Sequence, residues 1–539
     1  MKKAEKRKRR TEKNRENMRN YMRQRRQDDT FRRAESVRDT IRHQKQRASW
    51  TKTKKTFEKN IRLGFTIPCS SCGRLWPQNS VYKLTKDELI FDGKSKEFVD
   101  SVFSYHTAGE GLFCQTCRKD IKSYLIPRFC LINDLMLPVI DKEIEDLNRV
   151  EERIIAPNHV FQTIWPVMGP QGQYKTKGAI VNVPVMIDTT VSSLPRPSDD
   201  TNMIHIRIAR KLEYKNDYMS GFVRLKKVYD AAKKIVEKPL LQELGIHLAL
   251  QQYTTNDIDM SDYVSDDEDI MSIDTTSDQD FNIPTQETLI SSDVGYRIAP
   301  AEGLRPKGVL LDENIEFLAF PKLFGGYKMT PTHNNKPLPY SDFAKSIVMQ
   351  KDRRCANRGD FLLFMAKKLE LMKLSANVNV CLRKKIIRRG HTVTASDLLN
   401  SHFVDGLIQH DDGYKILRGI RSSAAHWQEE KTKVMAMIRQ FGLPTLFITL
   451  SSADTRWPEL LVQLKKTVDN IDISESDAAN LPYKEKARLI QSDPVTCSLH
   501  FDRRFKCLKK TWKSKNGPFK GYEISHFYHR IEFQQRGYH

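Results

Sequence analysis

Charge lies along this chain in blocks, and the blocks decide which parts of it can fold. Residues 1–62 hold 24 Lys and Arg against 8 Asp and Glu, so +16 of the formal net charge of +23 sits in the first 62 of 539 residues. Within that block Met18, Tyr21, Met22, Phe31 and Val37 are too sparse to make a core-facing stripe. The sequence therefore predicts disorder there, or a fraying helix that orders on a polyanion. Asn256 to Asp280 is the reverse, with ten acidic residues, no Lys or Arg, and many Ser, Thr and Met. Such a segment cannot bury enough apolar surface to offset the entropy of ordering it, so 251–298 reads as an acidic disordered linker. It either folds back on the basic arm and competes with nucleic acid or serves as a solvated spacer. The two remaining stretches, 63–250 and 299–539, carry the apolar patterning of globular regions.

The first globular stretch mixes both periods. Val181 to Ile187 and Ile204 to Ile208 read as strands, the second alternating apolar and polar as a half-buried strand does. Leu225 to Val236 and Pro239 to Ala249 read as helices, and Leu194-Pro195-Arg196-Pro197 as an extended turn. In the second stretch, Phe361 to Leu374 repeats near 3.6 residues and predicts a helix. Ser423 to Phe441 predicts another, stopped by Gly442 and Pro444. Thr445 to Leu450 reads as a buried strand, with Val495 to Phe501 and Ser525 to Gln534 as further strands. The fold class expected is α+β.

Several function classes drop out. No run of 18 apolar residues exists, so no membrane span or membrane partner is expected. Met1 to Arg10 has no apolar core behind it and is not a secretory signal. Lys6, Arg7, Lys8, Arg9 and Arg10 suit a nuclear localisation patch, or else a solvated charge run, and a nuclear location is expected. A local basic arm attracts polyanions through counterion release without reading sequence. There is no Gly-x-x-x-x-Gly-Lys-[Ser/Thr], so the sequence supplies no site for ATP hydrolysis.

Two features carry chemistry. Cys69-x-x-Cys72 and Cys114-x-x-Cys117 each let a turn aim two thiolates at one tetrahedral ion, which predicts a structural Zn²⁺ held by four cysteines. Against this, 41 residues separate the pairs, and two unrelated pairs of buried thiols are the alternative. Cys130 and His106 are the substitute ligands. The second feature is a basic run, Arg503, Arg504, Lys506, Lys509, Lys510, Lys513, Lys515 and Lys520, with only Asp502 against it and Phe505, Trp512 and Phe519 interleaved. Positive charge that tracks a backbone, with aromatic platforms for bases, is the pattern of single-stranded DNA binding. The alternative is a solvated helix face with three buried aromatics.

Three C-terminal runs carry a family resemblance. They are Pro444 to Leu460, His500-Phe501-Asp502-Arg503-Arg504-Phe505-Lys506, and His529 to His539 with its Glu532-Phe533-Gln534-x-Arg536-Gly537. Together they resemble the replication-initiator-like, helicase-like N-terminal domain of Helitron transposon proteins. The two Cys pairs, Gly178 to Pro184, Leu194-Pro195-Arg196 and Tyr218 to Arg224 resemble the segment preceding that domain in many such proteins, over roughly 64–245. The resemblance implies an antiparallel sheet with flanking helices at 299–539, incomplete in this sequence. It also implies a His-hydrophobic-His strand whose two imidazoles share one face and hold Mg²⁺ or Mn²⁺ against a DNA phosphate. His539 matches the first histidine, and the second falls at a position the sequence does not reach. A tyrosine attacks the phosphate in that family, and none of this chain's tyrosines is assigned the role. Phe447, Thr449 and Ser451 share one face of the strand beside it, and Trp457 either stacks on a base or, as favoured, caps the core. The partners implied are single-stranded DNA and a linked helicase. The function expected is that of the front part of a Helitron-type rolling-circle transposase. Alternatives are a non-catalytic nuclear zinc protein that binds nucleic acid, or a ribonucleoprotein assembly factor.

Overall fold

The structure is a computed structural model. It describes residues 16, 20, 29–103, 109–166, 174–192, 203–209, 217–248, 296–300, 304–383, 418–421, 423–514, 517–519, 522, 524–534 and 537–538. The leading basic patch Lys6–Arg10, the acidic segment through residue 295, His106 and His539 lie outside these. The chain divides into two compact units, Met1–Gly64 with Leu499–His529, and Phe65–Ser498 with Arg530–His539.

In the smaller unit, Asp29–Arg62 forms one helix of 34 residues. Among its described side chains Val37 and Trp50 are exposed, and Ile61 near its end is buried. The Arg503 guanidinium donates from Nε to the carbonyl of Asn60 at 2.8 Å, satisfying an acceptor in the last turn of that helix.

The larger unit opens with a small cysteine-centred module. Strands β1 (Ile67–Pro68) and β2 (Leu75–Trp76) form a hairpin, and β3 (Val81–Thr85) pairs antiparallel with β4 (Glu110–Cys114). Thr85 closes a capping box with Glu88 and starts the helix Lys86–Phe91. Leu84, Leu89, Val99, Val102, Phe113 and Ile121 fill the space around the thiols.

The main core follows. Strands β5 (Asn158–Pro166) and β6 (Tyr174–Pro184) pair antiparallel. Strands β7 (Met203–Ala209) and β8 (Asp217–Arg224) do the same, and β9 (Tyr296–Ile298) adds to β7 in parallel. Ile206, Ile208 and Val223 point inward, and His205 packs edge-on against Phe222 on the other face. Over the sheets lie the helices Arg149–Ile155, Leu225–Val236, Tyr340–Met349 and Gly359–Arg383. The expected boundary at 298 does not divide this core. Ile298, Phe317, Phe320, Phe324, Phe361 and Phe364 join Ile154, Ile206 and Ile235 in one cluster. Polar ties cross the boundary too: Asn158 and Asn182 both donate to the Asp312 carboxylate, at 2.7 and 3.0 Å. Arg358 bridges Glu152 and Asp360, each at 2.8 Å. The reason is physical. The sheets made before the acidic segment expose an apolar face that the later phenylalanines help to cover.

His159 on β5 is fully buried, and burial holds its pKa near about 3, below the ordinary 6.5. A group whose folded pKa is depressed takes up its proton first in the unfolded chain. Stability should therefore fall below pH 6.5 by about 1.4 kcal/mol per pH unit until the folded pKa is reached. Denaturant melts of the full chain from pH 7 to 4 read this, and His159→Gln should flatten the slope.

The C-terminal stretch departs most from expectation. Helices Ala424–Phe441, Pro458–Val468, Tyr483–Ser492 and Pro494–Trp512 stand there. The first begins at a Ser423 cap and ends at Gly442 with φ 86°, as the sequence predicts. The antiparallel sheet expected over 299–539 is not formed among the described residues. Beyond β9 the strands are the two-residue pair β10 (Thr332–His333) with β11 (Lys336–Pro337), and β12 (Phe533–Gln534) with β13 (Gly537–Tyr538). Thr445–Leu450 is not a buried strand. It has no ladder partner among the described residues, Phe447 is 91% exposed, and Thr449 and Ser451 are exposed as well. Val495–Phe501 is helical because Pro494 starts a turn capped by Asp493, and buried Thr496, Cys497 and His500 repeat at helical spacing. Of Ser525–Gln534, only Phe533 and Gln534 are in a strand. Trp457 packs against the small core of Leu460, Leu464, Leu489, Ile490 and Cys497, the core role favoured for it. Among the described residues no helix is long and apolar enough to cross a membrane.

Candidate metal centre and nucleic-acid interface

Cys69 follows β1, and Cys72 lies in the turn to β2. Gly73 closes that turn with φ 64°, a conformation that favours glycine. Its N–H donates to the Cys69 carbonyl at 2.8 Å, and the Cys69 N–H donates to the Arg74 carbonyl at 2.9 Å. Cys114 ends β4, and Cys117 sits in the first turn of the helix Gln115–Lys122. The 41-residue separation is closed by the β3–β4 ladder and by Ser70. The Ser70 N–H donates to the Leu112 carbonyl at 2.7 Å, and its hydroxyl accepts from the Leu112 N–H at 2.9 Å. Gly111 makes the approach feasible, since a Cβ there would stand 2.6 Å from the Ser70 hydroxyl.

The four sulfurs lie within 4.8 Å of one another, and all four residues are buried. Tetrahedral Zn²⁺ with sulfur bonds of about 2.3 Å sets its ligands about 3.8 Å apart, so the set fits such an ion. The Cys114 N–H donates to the Cys69 sulfur at 3.3 Å, the kind of bond a thiolate accepts well. The thiols compete for charge. Hydrogen bonds from Cys114, Cys117 and Cys72 hold the Cys69 thiol low, while its place in the same cluster, with burial, pushes Cys117 up. Four thiolates this close need a cation among them. Arg74 supplies a further positive group. Burial lowers its pKa, the thiols of Cys72, Cys117 and Cys114 act against that, and its guanidinium lies 3.7 Å over the Phe129 ring. Cys130 is buried nearby but stands outside the four, its sulfur accepting from the Ser71 hydroxyl at 3.2 Å. Four protein ligands leave no open position, so the centre is suited to holding structure rather than activating water.

The basic run falls on the helix Pro494–Trp512 and just beyond it. Arg503 and Arg504 are half-buried, and burial lowers the Arg503 pKa. Lys506 pairs with Asp502 at 2.5 Å, and Lys510 and Lys513 are exposed. Trp512 meets Phe519 edge-on at 6.2 Å, both half-buried. Phe505 and Lys509, one helical turn apart, are brought to Phe527 and His529, which the sequence expectation puts on the strand Ser525–Gln534. The Phe505 ring lies 5.0 Å from His529. Phe527 lies 6.0 Å from His529 at an interplanar angle of 26°. Lys509 stands 4.3 Å over the Phe527 ring, and Lys513 stands 5.4 Å from it. The signal in the sequence was Phe527 and His529 two residues apart, close behind the basic run.

Comparison with known proteins gives two matches to family models. Residues 388–539 match the Helitron helicase-like domain at N-terminus, and residues 125–247 match a domain of unknown function, DUF6570. The chain thus carries a Helitron helicase-like domain, which sets its class as a Helitron helicase-like domain-containing protein. The match begins at 388, later than the 299 expected, in keeping with the packing of 299–383 onto the earlier sheets. No curated protein and no solved structure matches the chain.

Proposed function

We propose that this chain serves Helitron-type rolling-circle transposition by binding single-stranded DNA, with a structural zinc in its first module. The observation that carries the reading is the Helitron match over 388–539, which contains the whole basic run from Arg503 to Lys520. Positive charge interleaved with aromatic rings suits a backbone whose bases are unstacked. The nicking and strand-transfer chemistry of the family uses a histidine pair, Mg²⁺ or Mn²⁺ and a tyrosine, and His539 matches the first histidine of the pair. The arm at Lys6–Arg10 supports a nuclear location.

A second reading, a transposon-derived nucleic-acid-binding protein without catalysis, draws on the helices that stand at 423–512 where a nuclease sheet was expected. The second reading expects no covalent protein–DNA adduct when the chain is incubated with single-stranded DNA and Mn²⁺, and such an adduct would exclude it. For binding itself, affinity for an oligo-dT should fall steeply with salt, and deleting residues 1–62 should flatten that dependence. An unchanged slope after the deletion assigns the contacts to the 503–520 run.

A further inference from the structure

The cluster around Phe527 has a composition that internal packing alone does not require. Three rings, Phe505, His529 and Phe527, follow one another at 5.0 and 6.0 Å. Phe527 is 44% exposed, and His529 is exposed beside it. The exposed part of the Phe527 ring is therefore open to an occupant from solvent. Two ammonium groups, Lys509 and Lys513, stand over the same ring. Partial burial, and then Lys509, hold the His529 imidazole below its ordinary pKa, which keeps it a neutral ring and not a third cation.

Resting on the reading above, we propose that Phe505, Phe527 and His529 form a stacking cleft for unpaired bases of single-stranded DNA, with Lys509 and Lys513 as its phosphate contacts. Rings take base faces whatever the base, and mobile ammonium groups take the backbone on either side. Charge complementarity argues for a nucleic-acid occupant over an apolar peptide, which would leave both ammonium groups without a counter-charge. The spacing suits an unpaired strand, because the bases of a duplex are already stacked on one another. A lysine that now lies over Phe527 releases the ring when a phosphate offers it a full negative charge.

The test uses the full chain and a short oligo-dT carrying one 2-aminopurine. Binding should quench the 2-aminopurine, and Phe527→Ala should weaken affinity about tenfold without altering its salt dependence. Lys509→Gln with Lys513→Gln should lower the salt slope by about 1.4, two phosphate contacts' worth. An abasic oligonucleotide should bind wild type and Phe527→Ala alike, and Phe527→Trp should restore affinity and report binding through its own fluorescence. If the chain binds oligo-dT but Phe527→Ala changes neither affinity nor quenching, the cleft is overturned while DNA binding stands. If the chain binds no single-stranded DNA even at low salt, the underlying reading falls with it. Tighter binding of an RNA of matching sequence, lost on Phe527→Ala, overturns the commitment to DNA.

Discussion

Stripping the proposed zinc from this protein with a strong chelator should unfold its first module, and Cys117→Ser should do so without a chelator. Metal content is expected to fall from about one Zn per chain to none. Structural zinc contributes on the order of 10 kcal/mol to folding in small domains, more than a module of this size gains from its core. The core of Leu84, Leu89, Val99, Phe113 and Ile121 surrounds the thiols, so losing the ion leaves four like-charged or protonated sulfurs at its centre. Loss of protection in hydrogen exchange should therefore concentrate in 67–122, while the sheets of 158–224 remain protected. The effect has a pH signature. Protons compete with metal for thiolates, so zinc affinity should fall as pH falls, and acid should release the ion before the main core melts. Cys130→Ser is the control. Its sulfur lies outside the four, so zinc stoichiometry should not change. A metal content insensitive to Cys117→Ser would refute the four-cysteine site.

Where the sequence could be read, it was because a local rule decided the outcome. Cys-x-x-Cys spacing needs only a turn, and both pairs arrive at one point. Alternation along Ile204 to Ile208 places Ile206 and Ile208 inward, as found. The Ser423 cap and Gly442 bound their helix within a residue of expectation. The failures share another cause. Thr445 to Leu450 is apolar enough for a buried strand, but a strand forms only where a neighbour pairs with it, and pairing is not written in the segment itself. Val495 to Phe501 reads as a strand on its own, while Asp493 and Pro494 ahead of it specify a helix start. The common core of Ile206 with Phe320 and Phe361 was hidden by the acidic segment between them, since composition marks where a chain is solvated and not which flanks meet again. The stacking cleft was half visible. Phe505 and Lys509 were named from charge and aromatic interleaving, whereas Phe527 and His529 reach them only in the folded chain.

Replacing Asp493 with Ala should cost about 3–5 kcal/mol, the second large effect expected of this protein. Asp493 is wholly buried, and both its oxygens are occupied. Arg353, itself buried, donates to it from Nη2 at 2.6 Å and from Nε at 3.1 Å. The Thr496 N–H and hydroxyl donate at 2.9 and 2.7 Å, so the same carboxylate caps the helix that begins at Pro494. The other Arg353 nitrogen, Nη1, donates to the carbonyls of Val348 and Gln350 at 3.0 and 3.3 Å. The pair thus ties residues packed on the earlier sheets to the start of a helix inside the Helitron-like match. Removing the carboxylate strands a buried guanidinium and uncaps the helix together. Removing the guanidinium strands a carboxylate that keeps its Thr496 donors, so Arg353→Ala should cost less than Asp493→Ala. Asp493→Asn should fall between wild type and Asp493→Ala, because an amide oxygen still caps Thr496 but cannot match the fork of Arg353. Arg353→Leu combined with Asp493→Leu should recover much of the pair's electrostatic cost while still lacking the cap. Urea melts of these variants measure this, with the Arg353→Ala/Asp493→Ala double mutant added to close a double-mutant cycle. A coupling energy below about 1 kcal/mol would show that the pair is a surface-type contact and not the buried clamp described.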